Sequence, residues 1–335
     1  MAPPPHAFAC SEEGLAFAAF SREDGGLVLE EYRREPFEPA TFQQGLMGGP
    51  PREPRAFAER VQGFVSGLGV PVKEASLVVP DAWLRTAFAG ISEVPSNGAA
   101  REDVLRWKLK RLVPFRVDEL RVRAVEVTPL AGQEEPRRLL LGFGIESLFG
   151  HLERAFTDAG VQLGRISNQG LSALGALAAP DGGAAGEAAA AGEGSLLGLV
   201  LAFEDSYSVV FARWSGGRSE PVLHRFKSFS GALPREARAS AVRRDSRLTR
   251  TFLEDHFPGD RLSGVILAAP EGEAGAWSEW LQEGLEQPVS FTGEGGWDGP
   301  VVAVRPGGNA GGDGARPPWP ELLPLAGAVC QEVGG

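Results

Sequence analysis

Cysteine is almost missing from this 335-residue chain. Cys10 and Cys330 are the only two. They are too few for a disulfide framework and lack the spacing of a metal cluster, which suits a reducing compartment. Histidine is nearly as scarce: His6, His151, His224 and His256 stand at intervals that no ligand set uses. No apolar run approaches the ~20 residues that a membrane helix needs. The opening MAPPPHAFAC lacks the charged segment and apolar stretch of a secretion signal. Catalytic signatures are wanting too, with no P-loop, no HExxH, no GxSxG elbow and no CxxC. The expectation is a cytoplasmic protein with no direct membrane span, able to work at a membrane through a partner.

What is present is enough chain for two lobes, with 43% hydrophobic residues and a net charge of -11. An acidic field of that size disfavours nucleic acid as a partner. The basic residues are nevertheless clustered. Arg106, Lys108, Lys110, Arg111, Arg116, Arg121 and Arg123 form one group, and Arg235, Arg238, Arg243, Arg244, Arg247 and Arg250 another. Each reads first as the solvated face of a helix.

Taken in order, the chain opens with a three-strand meander between His6 and Tyr32. A helix follows over Pro54 to Leu68, with Phe57, Val61, Phe64 and Leu68 at helical spacing, and then a buried strand, Ala75 to Val79, closed by Pro80-Asp81. Trp83 to Ile91 is a further strand candidate. From Arg101 a basic amphipathic helix is expected, with Glu102 and Asp103 in its first turn and an apolar stripe of Val104, Leu105, Leu109 and Leu112 widened by Trp107. Strands over Leu120 to Val127 and Leu139 to Ile145 come next. Glu146 to Ala159 is a helix with Gly160 just past its end.

The alanine- and glycine-rich stretch before Ser195 reads as a flexible linker. Beyond it the pattern repeats: a meander over Leu196 to Phe226, a long polar helix or pair of helices over Arg235 to Phe257, an apolar central strand Leu262 to Ala268, a helix Ala274 to Leu285, a loop Asn309 to Pro318 and a last helix Pro320 to Glu332. Two halves of one plan follow. Residues 1–85 and 165–180 make the core of a first lobe, 86–164 an inserted α+β subdomain, 181–194 the linker and 195–335 a second lobe.

The insert carries Leu105-Arg106-Trp107-Lys108-Leu109-Lys110-Arg111-Leu112-Val113-Pro114-Phe115 and then Asp118-Glu119-Leu120. A helix, an aliphatic-Pro-Phe corner and an acidic pair in this order resemble the PilM group of the actin-like ATPase superfamily. Its relatives are FtsA and the cytoplasmic part of GspL. Phe156 to Val161, continuing to Leu171 and Ala173, resembles that group's return from insert to core. The likeness covers most of the chain in plan and about sixty residues in recognisable sequence. It implies an α/β, actin-like two-lobe fold of duplicated RNase H-like halves, with a small βαββα insert in the first lobe.

The nucleotide loops depart from that pattern. Actin-like ATPases cradle phosphates with two glycine-rich hairpins, each with an aspartate near the metal. Here the first loop is Cys10-Ser11-Glu12-Glu13-Gly14 and the second Phe203-Glu204-Asp205-Ser206, while Ala269-Pro270 replaces the glycines of the adenosine loop. Glu204 and Asp205 could hold Mg²⁺, but the missing glycines deny phosphates close backbone approach. No cofactor is therefore expected, neither ATP with Mg²⁺ nor any other.

The resemblance implies instead a scaffold in a type IV pilus or type II secretion platform. It would bind the N-terminal cytoplasmic segment of a PilN-like inner-membrane protein in a groove between insert and first lobe. Arg106, Leu112, Val113, Pro114, Phe115, Arg116 and Phe143 are the candidate partner residues, with filling of the insert's small core as the alternative for Phe115 and Phe143. Self-association and an assembly ATPase are further partners open to it. The competing reading is an active actin-like ATPase, or a sugar-kinase-like phosphotransferase, with atypical loops.

Overall fold

A computed structural model describes residues 4–23, 26–93, 95, 97–113, 116–130, 137–177, 194–215, 218–229, 233–291, 302–310 and 317–330. The first lobe begins with β1 (His6–Cys10), β2 (Gly14–Glu23), β3 (Gly26–Pro36), α1 (Pro54–Ser66) and β4 (Glu74–Val79). The insert follows as β5 (Arg85–Ile91), α2 (Gly98–Lys110), β6 (Leu120–Val127) and β7 (Arg137–Ile145). The lobe resumes with α3 (Glu146–Asp158), β8 (Gln162–Asn168) and α4 (Gln169–Leu177). The second lobe comprises β9 (Ser195–Ala202), β10 (Ser206–Ser215), β11 (Arg218–Ser228), α5 (Arg235–His256), β12 (Arg261–Ala268), α6 (Ala274–Leu285) and β13 (Val289–Phe291). β14 (Val302–Ala310) and α7 (Trp319–Cys330) close the described chain.

The two large sheets share one topology. The first runs β14-β3-β2-β1-β4-β8 and the second β11-β10-β9-β12-β13. Setting β14 aside, each reads third, second, first, fourth, fifth. In each the meander is antiparallel, and the last two strands lie parallel to the first. The apolar runs of β4, β9 and β12 fit these positions, because strands flanked on both faces bury side chains both ways. Strand alternation divides the first lobe's core. From β1, Ala7 points into a seam between the sheets, whereas Phe8 and Cys10 point away from it, toward Phe17, Phe64 and Phe156. Cys330 lies on the seam side, so the two cysteines occupy opposite faces of the first sheet.

Helices α4 and α7 fill the seam with Leu174, Leu177, Leu322, Leu323 and Leu325, all fully buried. Each leucine so buried contributes about 2 kcal/mol. The two helices touch backbone to backbone. A Cβ on Gly327 would fall 1.8 Å from the carbonyl oxygen of Ser172. The Ser172 hydroxyl donates to the Pro324 carbonyl at 2.8 Å.

The structure revises several boundaries. β8, β13 and β14 were not anticipated; β14 takes in Asn309 and Ala310, the first two residues of the expected loop, and pairs with β3. α5 is one helix, not two. The strand expected from Trp83 begins only at Arg85; Trp83 is itself core, packed on Phe42. α2 starts at Gly98, so Glu102 and Asp103 lie in its second turn. The order strand, helix, strand, strand, helix holds in the insert region. Its last member, α3, nevertheless buries Leu148, Leu152 and Phe156 in the first lobe's core with Phe8 and Phe64. Gly160 ends α3 at φ +80°, the left-handed turn glycine makes at no steric cost. Residues 181–193 of the expected linker lie outside the described residues.

Candidate functional site

Two hairpin loops face each other where the lobes meet. One joins β1 to β2 and the other β9 to β10. They open on a cleft of about 300 Å³ whose lining includes Ser11, Glu12, Glu13, Asp205, Ser206 and the start of α7. Ser11, Glu12 and Asp205 are therefore brought together as the sequence suggested, whereas Glu204, Ala269 and Pro270 do not line the cleft. The Glu204 carbonyl instead accepts from Arg238 at 3.1 Å.

The cleft also contains residues that sequence reasoning missed. Arg34 bridges Glu13 at 3.1 Å and Glu321 at 3.0 Å. The Tyr32 hydroxyl donates to Glu321 at 2.7 Å, and burial, with the Glu321 charge beside it, pushes that phenol well above its ordinary range. Among the lining residues four carboxylates, Glu12, Glu13, Asp205 and Glu321, face one guanidinium, Arg34. The glycine of the first loop serves packing. A Cβ on Gly14 would meet the Glu35 carbonyl oxygen at 2.4 Å, so its bare face is turned to β3.

A buried polar joint lies deeper. Asp81, fully buried at the end of β4, sits 2.8 Å from Nε2 of His224 on β11, whose side chain is 2% exposed. The Ser208 hydroxyl is 3.0 Å from the same nitrogen, and Thr86 of the insert is 2.6 Å from Nδ1. An ionised carboxylate only accepts, so Nε2 carries a proton toward Asp81, while Thr86 and Nδ1 share a hydrogen bond. The Gly170 amide at the start of α4 also donates to Asp81, at 3.2 Å. That helix end favours a negative charge, and Asn168 caps it by accepting from the Leu171 amide at 3.0 Å. A side chain at position 170 would collide with Ser208, His224 and Asp81. One cluster thus ties together first lobe, insert and second lobe. Its members lie far apart in sequence; only the Pro80-Asp81 strand end was visible as local punctuation.

The insert is held on both sides. Toward the first lobe, Met47 enters its core, and Arg85 donates to the Leu46 carbonyl at 2.6 Å. Gly48 lies against the Trp83 indole with φ +65°, leaving no room for a Cβ. Toward the second lobe, Arg138 is buried over the Phe88 ring and donates to the Val222 carbonyl at 2.9 Å. Burial lowers its pKa to about 10. Thr128 donates its hydroxyl to Glu220 at 2.6 Å.

The candidate partner residues separate. Phe143 is buried in the insert's core with Leu105, Leu109, Leu120, Val122 and Leu141. Leu112 is 50% exposed, and Arg116 is exposed and paired with Glu119 at 3.2 Å. Arg106 is part-buried and paired with Glu102 at 2.8 Å, while Val113 packs at the core's edge. Pro114 and Phe115 lie outside the described residues. The apolar stripe of α2 is narrower than its composition implied, because Trp107 and Leu112 face solvent.

Among solved structures, a chain of the PilM-PilN type IV pilus biogenesis complex is similar to 98% of this chain over 98% of its own length. The TM-score is 0.65 at 16% identity. The fold is actin-like. The cytoplasmic domain of EpsL, an inner membrane component of the type II secretion system of Vibrio cholerae, gives 0.46 at 10% identity, over 98% of this chain and 95% of that one. The ethanolamine utilization protein EutJ from Carboxydothermus hydrogenoformans gives 0.44 at 10% identity, over 98% and 91%. No protein-family model matches the sequence, and no curated protein does. No helix among the described residues is long and apolar enough to cross a membrane.

Proposed function

We propose that this chain is a PilM-like scaffold of a type IV pilus or type II secretion platform, acting by recognition and not by ATP hydrolysis. The observation that carries the reading is the cleft. Four carboxylates meet one guanidinium there, and that cation is already engaged by Glu13 and Glu321. Two like charges about 4 Å apart repel by about 4 kcal/mol at an effective dielectric near 20. A triphosphate entering this cleft would meet several such terms. It would also lack the bare backbone approach that glycines provide, because Gly14 spends its free face on Glu35. These residues do not suit a nucleotide, with or without Mg²⁺.

The likeness to a PilM-PilN chain over almost the full length supports a PilN-like partner. The partner segment would be the N-terminal cytoplasmic stretch of an inner-membrane protein. It would enter between insert and first lobe, near Leu112, Val113, Arg116 and the corner they flank. An apolar strip beside an exposed arginine suits a short peptide with aliphatic and acidic positions.

Calorimetric titration with ATP and Mg²⁺ should give no binding heat; micromolar affinity would overturn the reading in favour of an active ATPase or phosphotransferase. In the same cell, the N-terminal cytoplasmic peptide of a PilN-like inner-membrane protein should bind. Arg116→Glu and Phe115→Ala should each weaken it about tenfold, a loss near 1.4 kcal/mol. Unchanged binding would remove this groove.

A further inference from the structure

We propose that the outward face of α2 docks directly on an anionic lipid surface, a contact separate from the peptide groove. Leu105 and Leu109 turn inward to the insert's core. The opposite side of the helix, one hundred degrees per residue away, presents Asp103, Trp107, Lys110 and Arg111, all exposed. Trp107 is 55% exposed and is the one aromatic among the described large apolar side chains that stand at least half exposed. The Lys108 ammonium and the Arg111 guanidinium each lie 5.6 Å from its ring centroid. Leu112, 50% exposed, extends the apolar spot at the helix's C-terminal end.

An indole ringed by cations on a solvent-facing helix suits a lipid interface. The ring seats at headgroup depth, and the lysine and arginine stems reach anionic phosphates around it. Charge decides the class of surface. The chain carries a net -11, yet screening limits distant charges to about 8 Å at physiological ionic strength. The approaching surface therefore feels the local cluster. Of the charges around Trp107, Glu102 is bound to Arg106 at 2.8 Å, and on the exposed face Asp103 stands against Lys110 and Arg111. An acidic polypeptide would answer the charges, but it has less use for a bare indole and leucine at the centre of the patch.

The full chain, without any partner, should sediment with phosphatidylcholine vesicles that contain phosphatidylglycerol, and not with phosphatidylcholine alone. Raising the salt should release it. Lys110→Glu with Arg111→Glu should lower the partition coefficient by well over an order of magnitude, since each basic residue near such a surface contributes about fivefold. Trp107→Ser should lower it about tenfold. The reversal pair Arg244→Glu with Arg247→Glu, on α5 of the second lobe, should leave it unchanged, and circular dichroism should show every variant folded. Three outcomes would overturn the proposal: no sedimentation of the wild type, equal loss in the α5 control, or capture by immobilised polyglutamate with none by the vesicles.

Discussion

The cleft and the insert's outward helix are both charged, and they handle charge in opposite ways. In the cleft Arg34 ties Glu13 of the first loop to Glu321 of α7, and Tyr32 adds a hydrogen bond to Glu321. Below it, Asp81 is enclosed by His224 and the Gly170 amide. On α2, cations and an indole face solvent. Interactions satisfied within the molecule hold its parts together, whereas a surface left unsatisfied is available to something else. The cleft's paired charges thus belong to the framework, whereas those of the insert's helix stay turned to solvent.

The largest expected effect breaks the framework at its buried joint. Asp81→Ala removes the acceptor for His224 Nε2 and for the Gly170 amide. It leaves both buried donors without an acceptor, at about 1–3 kcal/mol each, and should cost about 2–5 kcal/mol in all. Urea unfolding would read this as a lower midpoint. A loss under 1 kcal/mol would mean that the joint is ornamental and that the contrast between the two regions fails. Asp81→Asn keeps an acceptor oxygen and should cost markedly less.

Much of this framework was legible in the sequence. The repeated meander, the central strand at Leu262 to Ala268 and the glycine after α3 all follow from short-range patterns, apolar alternation and turn chemistry, and the structure contains each of them. β14 was not legible, because Val302–Ala310 includes Pro306, Gly307 and Gly308, a composition that reads as loop until β3 supplies a partner edge. The joint was invisible for another reason. His224 lies 143 residues from Asp81, and only the closing of one lobe on the other makes a pair of them. In the insert, composition widened the apolar stripe of α2 to include Trp107 and Leu112; a helix with so little sheet beneath it buries only Leu105 and Leu109 completely.

A middle-sized effect sharpens the comparison at the hinge between insert and first lobe. Arg121 on β6 reaches Glu146 and Glu153 of α3, each at 2.6 Å. The hydrogen bond to Arg121 holds the Glu146 carboxyl below its ordinary 4.5, against the opposing pull of burial. A depressed folded-state pKa gives stability that is present above 4.5 and is lost as pH falls through the folded value. Arg121→Ala should therefore cost about 1 kcal/mol at neutral pH, a modest figure because the carboxylates are half exposed. The gap to wild type should close on acidification. Urea midpoints on both sides of pH 4.5 test this, and a gap that widens in acid would contradict the assignment.

The smallest effect tests whether the cleft's ladder is structural at all. Arg34 is 44% exposed and Glu13 80%, so screening leaves Arg34→Ala a cost of only about 0.5–1 kcal/mol. Arg111→Glu on α2 should change stability by less than about 0.5 kcal/mol, since an exposed residue outside any described ion pair leaves nothing buried behind it. If the contrast holds, the two variants will differ in kind more than in size. Arg34→Ala should loosen the loops of the cleft, seen as faster amide exchange in β1–β2 and at the start of α7, while Arg111→Glu leaves exchange unaltered. Equal exchange in the two variants would show that the paired charges of the cleft restrain the loops no more than the open charges of the insert do, and the assignment of the cleft to the framework would then rest on Asp81 and His224 alone.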